Sequence, residues 1–319
     1  MLENGYFVVN YVKLMNVDNN CVTGFGIFFY PFVFINDKPG ILPRAPPKKS
    51  GRSYRNIVIK RKFKDHVTLV TDDGFVAVIS DDKKKTLNYI NLIFATSILH
   101  SIHYAKQATS PDLGHVIFHK NLNQIEFNAL KLTERNYIAL DRDEGGRYGR
   151  IAHAFPRNWI SIERMNFVLN RANKYKKNTK LVNRLILLAE GWSHIYELSP
   201  SAGFMFCWVF IENFIDEFWK KHIATLSRTK VETDALAGFV SWTAYNKIEV
   251  LSQVGKIPDS SRKVIDEMRK KRNSFVHDWK QITQKDAVRC FGIAAYILLN
   301  QFERKNPFSD LERINQIPD

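Results

Sequence analysis

Arg272, Asn273 and His277 lie within one short stretch, and together these three side chains can hold an anion and move a proton. A guanidinium presents a planar fork of N–H donors that matches the oxygens of a phosphate or carboxylate. A histidine titrates close to neutral pH, so it can give or take a proton at a hydroxyl or a leaving oxygen. Asn273 can donate to the same anion, or it can serve only to end a helix, which Asn does readily. A fourth group, Glu212, lies in the most apolar stretch of the chain, with Trp208 before it and Ile215 and Trp219 after it at helical spacing. A helix there turns these residues, and the carboxylate with them, toward the interior.

Arg272 has a similar address, because Val264, Ile265, Met268 and Phe275 recur around it at helical spacing. A guanidinium on an inward stripe must be paired or solvated in a cleft, since an unpaired buried charge costs on the order of several kcal/mol. Glu212 and Arg272 are therefore expected to approach each other, as parts of a site or as an ion pair that only fixes helix register. His277 poses a geometric difficulty. Five residues along an ideal helix turn the chain by about 500°, which leaves Arg272 and His277 about 140° apart. Either the helix loosens near Phe275, or a second protomer supplies the opposing side of one groove.

The elements that must position these residues fall in the second half. Helical patterns cover about 161–174, 180–198, 202–226, 234–253, 259–275 and 284–305, with an N-cap signal at Pro258-Asp259-Ser260-Ser261 and a capping-box-like start at Thr283 and Asp286. The first half reads differently. Short aromatic and β-branched bursts at 6–12, 26–35, 56–59, 66–70, 75–79 and 115–118 predict strands, separated by turn signals such as Asp72-Asp73-Gly74. One helix is expected at 86–108, packed on the sheet. A chain of 319 residues has room for two cores. The expected fold class is α+β, a β-rich N-terminal domain over 1–156 followed by an all-α bundle over 157–319, with the connection in the charged, glycine-bearing stretch before Pro156.

The run from Glu267 to His277 resembles the signature of the HEPN superfamily, an Arg followed after four to six residues by His, here with Asn next to the Arg and four residues between. Trp208 with Glu212 is similar to the aromatic and acidic pattern of an early helix in that family, and Lys247–Leu251 ahead of Gly255-Lys256-Ile257 to the segment before the motif helix. The resemblance covers about residues 195–305 and is closest to an Apea-like HEPN nuclease with a β-rich N-terminal domain. It implies an HEPN-like helical bundle that cleaves RNA without metal or other cofactor, by attack of the ribose 2′-hydroxyl on the adjacent phosphate. Arg272 would neutralise the phosphate, His277 would exchange protons, and Asn273 and Glu212 would complete the site. It further implies a homodimer with a composite site, and a setting in prokaryotic antiviral defence or stress response in which the N-terminal domain senses a phage or stress-derived trigger or guides substrate. The same bundle without chemistry would be an RNA- or nucleotide-binding module.

The charge agrees with a polyanionic partner. Forty-seven Lys and Arg against 32 Asp and Glu give +15, a field that concentrates polyanions, although such a charge can also serve solubility alone. Residues 44–64 are basic with prolines and a glycine interspersed, and read as a flexible loop able to follow a phosphate backbone. Arg44, Lys48, Lys49, Arg52, Arg55, Lys60, Arg61 and Lys62 are its candidate contacts, Tyr54 is placed to stack on a base, and Lys271 beside the motif is a further contact. A second basic cluster comprises Arg171, Lys174, Lys176, Lys177, Lys180 and Arg184.

Cys21, Cys207 and Cys290 are far apart, without a CxxC pair or a His cluster at ligand spacing, so no zinc site is expected and a reducing cytosol fits. His100 with His103 lacks a third ligand, and His115 and His119 read as partly exposed sheet residues. No serine or cysteine stands in a nucleophile motif, and no phosphate loop of Walker type occurs. The apolar runs at 22–35 and 202–211 are too short or too broken to span a membrane, and the start of the chain does not read as a signal peptide.

Overall fold

A computed structural model of the chain describes residues 21–29, 33–37, 53–100, 107–121, 123–128, 158–226, 243–302 and 305–316. These divide into two compact units. The first holds the described residues up to Thr96 together with those from Ala108 to Lys177, and the second holds the described residues within 97–107 and from Asn178 onward.

In the first unit the β-branched and aromatic bursts form strands whose inward residues share one core. The strands are β1 (Cys21–Phe28), β2 (Val33–Ile35), β3 (Ser53–Lys62), β4 (Val67–Thr71), β5 (Phe75–Ile79), β6 (Gly114–His119), β7 (Gln124–Asn128) and β8 (Asn158–Ile160). Six of them close into an antiparallel barrel in the order β1-β5-β4-β3-β7-β6, with β6 pairing back onto β1 so that Cys21 faces His119 and Gly26 faces Gly114. Closure removes the free edges that an open sheet would expose. Phe28, Leu69, Phe75, Ala77, Val116, Phe118 and Ile125 fill the interior, and the rings of Phe28 and Phe75 meet edge to face at 4.8 Å. β2 and β8 form a separate parallel pair.

The helix α1 (Lys83–Leu99) starts three residues earlier than its periodicity predicts, where the Asp82 carboxylate accepts from the Lys85 amide at 2.9 Å. Residues 89–99 are buried on every side, and Phe94 packs on Phe29 at 4.8 Å. The helix α2 (Ile162–Tyr175), capped by Ser161 accepting from the Arg164 amide, belongs to this same unit. The Ile162 amide donates to Asp37, Arg61 donates to Asn166 at 2.7 Å, and Lys176 pairs with Asp65 at 2.5 Å. The division between the two compact units falls at Lys177–Asn178, which places α2 with the barrel. A helical pattern marks the kind of element, but not the core to which the element is bound.

The second unit is helical among its described residues: α3 (Thr179–Tyr196), α4 (Pro200–Leu226), α5 (Ala244–Gln253), α6 (Asp259–Asp278) and α7 (Gln284–Phe302), followed by a 3-10 turn at Leu311–Gln316. Side-chain oxygens of Asn178 and Thr243 cap α3 and α5. At the head of α7, Thr283 and Asp286 exchange hydrogen bonds, the Asp286 amide donating to Oγ1 at 3.1 Å and the Thr283 amide to Oδ2 at 3.4 Å. The helices α3 and α4 cross closely because Gly191 and Gly203 lie against each other, and a Cβ on Gly203 would stand 2.7 Å from the Gly191 carbonyl oxygen. Phe204, Trp208, Ile211 and Ile215 of α4 are buried with Leu188 of α3 and with Ile293 and Ile297 of α7. No helix among the described residues is long and apolar enough to cross a membrane.

Candidate functional site

The apolar stripe of α6 runs out of the core into a cleft. Val264, Ile265 and Met268 are buried. One turn further on, Arg272 is only half-buried and lines a cavity of about 430 Å³ with Asn273 and Arg269 of α6, Trp208 and Glu212 of α4, and Thr243, Ala244 and Tyr245 at the head of α5. Three of the four residues assigned to the chemistry thus share one space. The fourth does not. His277 is exposed in the last turn of α6 and is absent from the cavity wall.

The motif helix stays regular past Phe275. It continues to Asp278 and ends where Trp279 takes the left-handed conformation, φ 56°, with the amides of Trp279 and Lys280 donating to the Ser274 carbonyl. A helix loosened at Phe275 is thereby excluded, and the separation of about 140° between Arg272 and His277 stands. Glu212 and Arg272 face the same cavity, but no ion pair joins them. Near the open end of α6 each can be hydrated, and the guanidinium donates to the Asn273 side-chain oxygen at 3.1 Å instead.

The lysines and arginines of α6 are compensated with one exception. Arg262 pairs with Glu249 and Asp259, Lys263 with Asp259, Arg269 and Lys270 with Asp266, and Lys271 with Asp286 at 2.7 Å. Partial burial by itself would raise the Asp286 pKa, yet hydrogen bonds from Lys271 and Thr283 outweigh it and hold the carboxyl below its usual range. Lys271 is thus tied to α7. Among the described residues, Arg272 is the α6 cation without a carboxylate, and its Nε is buried with no acceptor. The indole Nε1 of Trp208, a residue only 1% exposed, is likewise a buried donor with no acceptor in the same cavity. Buried donors without partners each cost roughly 1–3 kcal/mol.

Two residues beyond His277, Trp279 is 86% exposed, and Val276 beside the histidine is also exposed. The exposed indole has a sequence signal, a tryptophan two residues after His277.

The basic segment of the first unit is not a single loop. From Ser53 it is β3, paired with β7 and then β4. Arg44, Lys48, Lys49 and Arg52 lie outside the described residues, as does the side chain of Tyr54. Arg55 is 3% exposed, ion-paired with Asp73 and set 5.5 Å from the Phe28 ring, so it is a barrel residue and not a contact for nucleic acid. Lys60, Arg61 and Lys62 are exposed, with Lys60 over the Phe118 ring at 4.7 Å. In the helical unit Lys180 and Arg184 both pair with Glu217.

Residues 224–315 match the model of a family described as a domain of unknown function, DUF4145. The matched segment contains α5, α6 and α7, hence Arg272, Asn273 and His277, and begins after Trp208 and Glu212. No curated protein and no solved structure matches the chain.

Proposed function

We propose that the helical unit is a metal-independent endoribonuclease of HEPN type that works as a homodimer, and that its setting is prokaryotic antiviral defence or stress response. The observation that carries this reading is the uncompensated guanidinium of Arg272 in a cleft with the unpartnered Trp208 donor, on a helix whose other cations are all neutralised. A phosphate of RNA supplies the missing acceptors, and Asn273 lies within reach of the same oxygens. His277 accepts the 2′-hydroxyl proton or returns one to the leaving 5′-oxygen, while Trp279 offers a face on which a flanking base can stack. Because α6 is unbroken, Arg272 of one protomer and His277 of the other face one RNA strand across a two-fold axis. The first unit senses the trigger or guides the substrate, with Lys60 and Lys62 as open cations on its surface.

A second reading, a non-catalytic RNA- or nucleotide-binding module, is favoured by one observation: His277 does not line the cleft that holds Arg272. Incubation of wild type and His277→Ala with labelled RNA in EDTA separates the two. Cleavage leaving 2′,3′-cyclic phosphate and falling by about 100-fold or more in the variant is the expected result. Binding by both proteins without cleavage by either leaves the second reading and a nuclease that awaits its trigger.

A further inference from the structure

A second set of reactive groups stands in the barrel. Closure pairs β1 with β6 so that Cys21 and His119 are direct cross-strand partners, and β6 pairs with β7 so that Glu126, opposite Ile117, is the diagonal neighbour of His119. Val116, Phe118 and Ile125, the alternate residues of β6 and β7, point into the core. His119 and Glu126 therefore share the other face of the sheet. The Cys21 sulfur lies 3.3 Å from His119 Nδ1, and His119 Nε2 lies 2.9 Å from a Glu126 carboxylate oxygen. The side chain of His119 is 20% exposed and that of Glu126 is 7% exposed, while Cys21 is half-buried.

A carboxylate only accepts, so the tautomer that donates to Glu126 carries its proton on Nε2, and that tautomer presents an Nδ1 lone pair to the thiol. That is a nucleophile, a base and a positioning acid in sequence. Two rival uses fail on geometry. A single metal ion cannot be held by all three, because the thiol and the carboxylate sit on opposite nitrogens of one ring, and no group of three ligands suited to a metal occurs among the described residues. Disulfide formation within the chain has no partner in place, since Cys207 and Cys290 are fully buried in α4 and α7 and burial pushes both thiols up.

We propose that Cys21, His119 and Glu126 form a second chemical site, an acyl-accepting thiol whose substrate class is an activated carboxylic ester or thioester. His119 Nδ1 takes the thiol proton as sulfur attacks the carbonyl carbon. The sulfur–carbon bond forms, the bond to the leaving oxygen or sulfur breaks with its electron pair, and the imidazole gives its proton to water or to the leaving group. The product is an S-acyl cysteine. Cys21 and His119 are its catalytic residues, and Glu126 is a positioning residue that acts through the imidazole.

The test uses the full chain with p-nitrophenyl acetate at pH 7, following p-nitrophenolate release and locating the acetyl group by peptide mass. Acetylation should fall on Cys21, on the order of tenfold faster than on N-acetylcysteine in the same buffer, because a free thiol is only a few per cent ionised there. His119→Gln should reduce the rate to that of the free thiol or below. Glu126→Gln should give an intermediate rate, with partial recovery in Glu126→Asp, at unchanged melting temperature. Cys207 and Cys290 should stay unlabelled until denaturant is added, which reports that each variant is folded. Acetylation of wild-type Cys21 no faster than N-acetylcysteine overturns the proposal without recourse to any variant. So does an unchanged rate in a folded His119→Gln protein.

Discussion

Arg272 is kept at a cost. Its Nε is buried without an acceptor, and its one bond is to the neutral Asn273 amide. Replacing such a group by an apolar side chain of similar length removes a desolvation penalty rather than an interaction. Arg272→Met should therefore leave the urea midpoint unchanged or raised, while RNA affinity falls. Arg262→Met, which strips partners from Glu249 and Asp259, should lower the urea midpoint. If the two variants destabilise alike, Arg272 is a register residue and the cleft has no special claim on an anion. Part of this cleft was legible in the sequence, because Trp208, Glu212 and Arg272 declare their face by helical spacing, whereas Thr243, Ala244, Tyr245 and Arg269 carry no such signal. Cys21, His119 and Glu126 were not. The first two are 98 residues apart in the chain, and only the closure of the barrel brings them together.

At the scale of elements, the helices were the more readable half, since each carries its own period and its own caps. The reciprocal pair at Thr283 and Asp286 is local and forms as its spacing requires. Strand β7 escaped notice because Gln124–Asn128 alternates over only five residues and has just Ile125 and Phe127 as apolar members. The crossing of α3 and α4 yields a prediction that runs against intrinsic propensity. Alanine favours a helix over glycine by about 1 kcal/mol, yet Gly203→Ala places a Cβ against Ile195 and the Gly191 carbonyl. The variant should be less stable by about 1–3 kcal/mol in urea unfolding. Since α4 carries Trp208 and Glu212, a shift of this helix also displaces one wall of the cleft. A Gly203→Ala protein as stable as wild type would mean that the helices have slack at this crossing.

For the whole molecule, the formal charge of +15 is a net figure that already counts each carboxylate paired with a cation. Lys176, Lys180, Arg184, Lys247, Lys271 and Arg289 are all neutralised by nearby carboxylates. Among the described residues, Arg272 in the helical unit and Lys60 and Lys62 in the barrel unit are cations that no carboxylate pairs. The regularity of α6 to Asp278 has a further consequence. If Arg272 and His277 act on the same strand only when two chains meet, turnover becomes a property of pairs. Below the concentration at which chains associate, doubling the protein should raise the initial rate of RNA cleavage about fourfold by mass action, and the rate per chain should fall steadily on dilution. A rate per chain that is constant across the dilution series would place the whole reaction within one protomer. Under the two-chain arrangement, dosage itself is the switch: a cell holding few copies is spared, and a modest rise in synthesis arms the enzyme without any change in its fold.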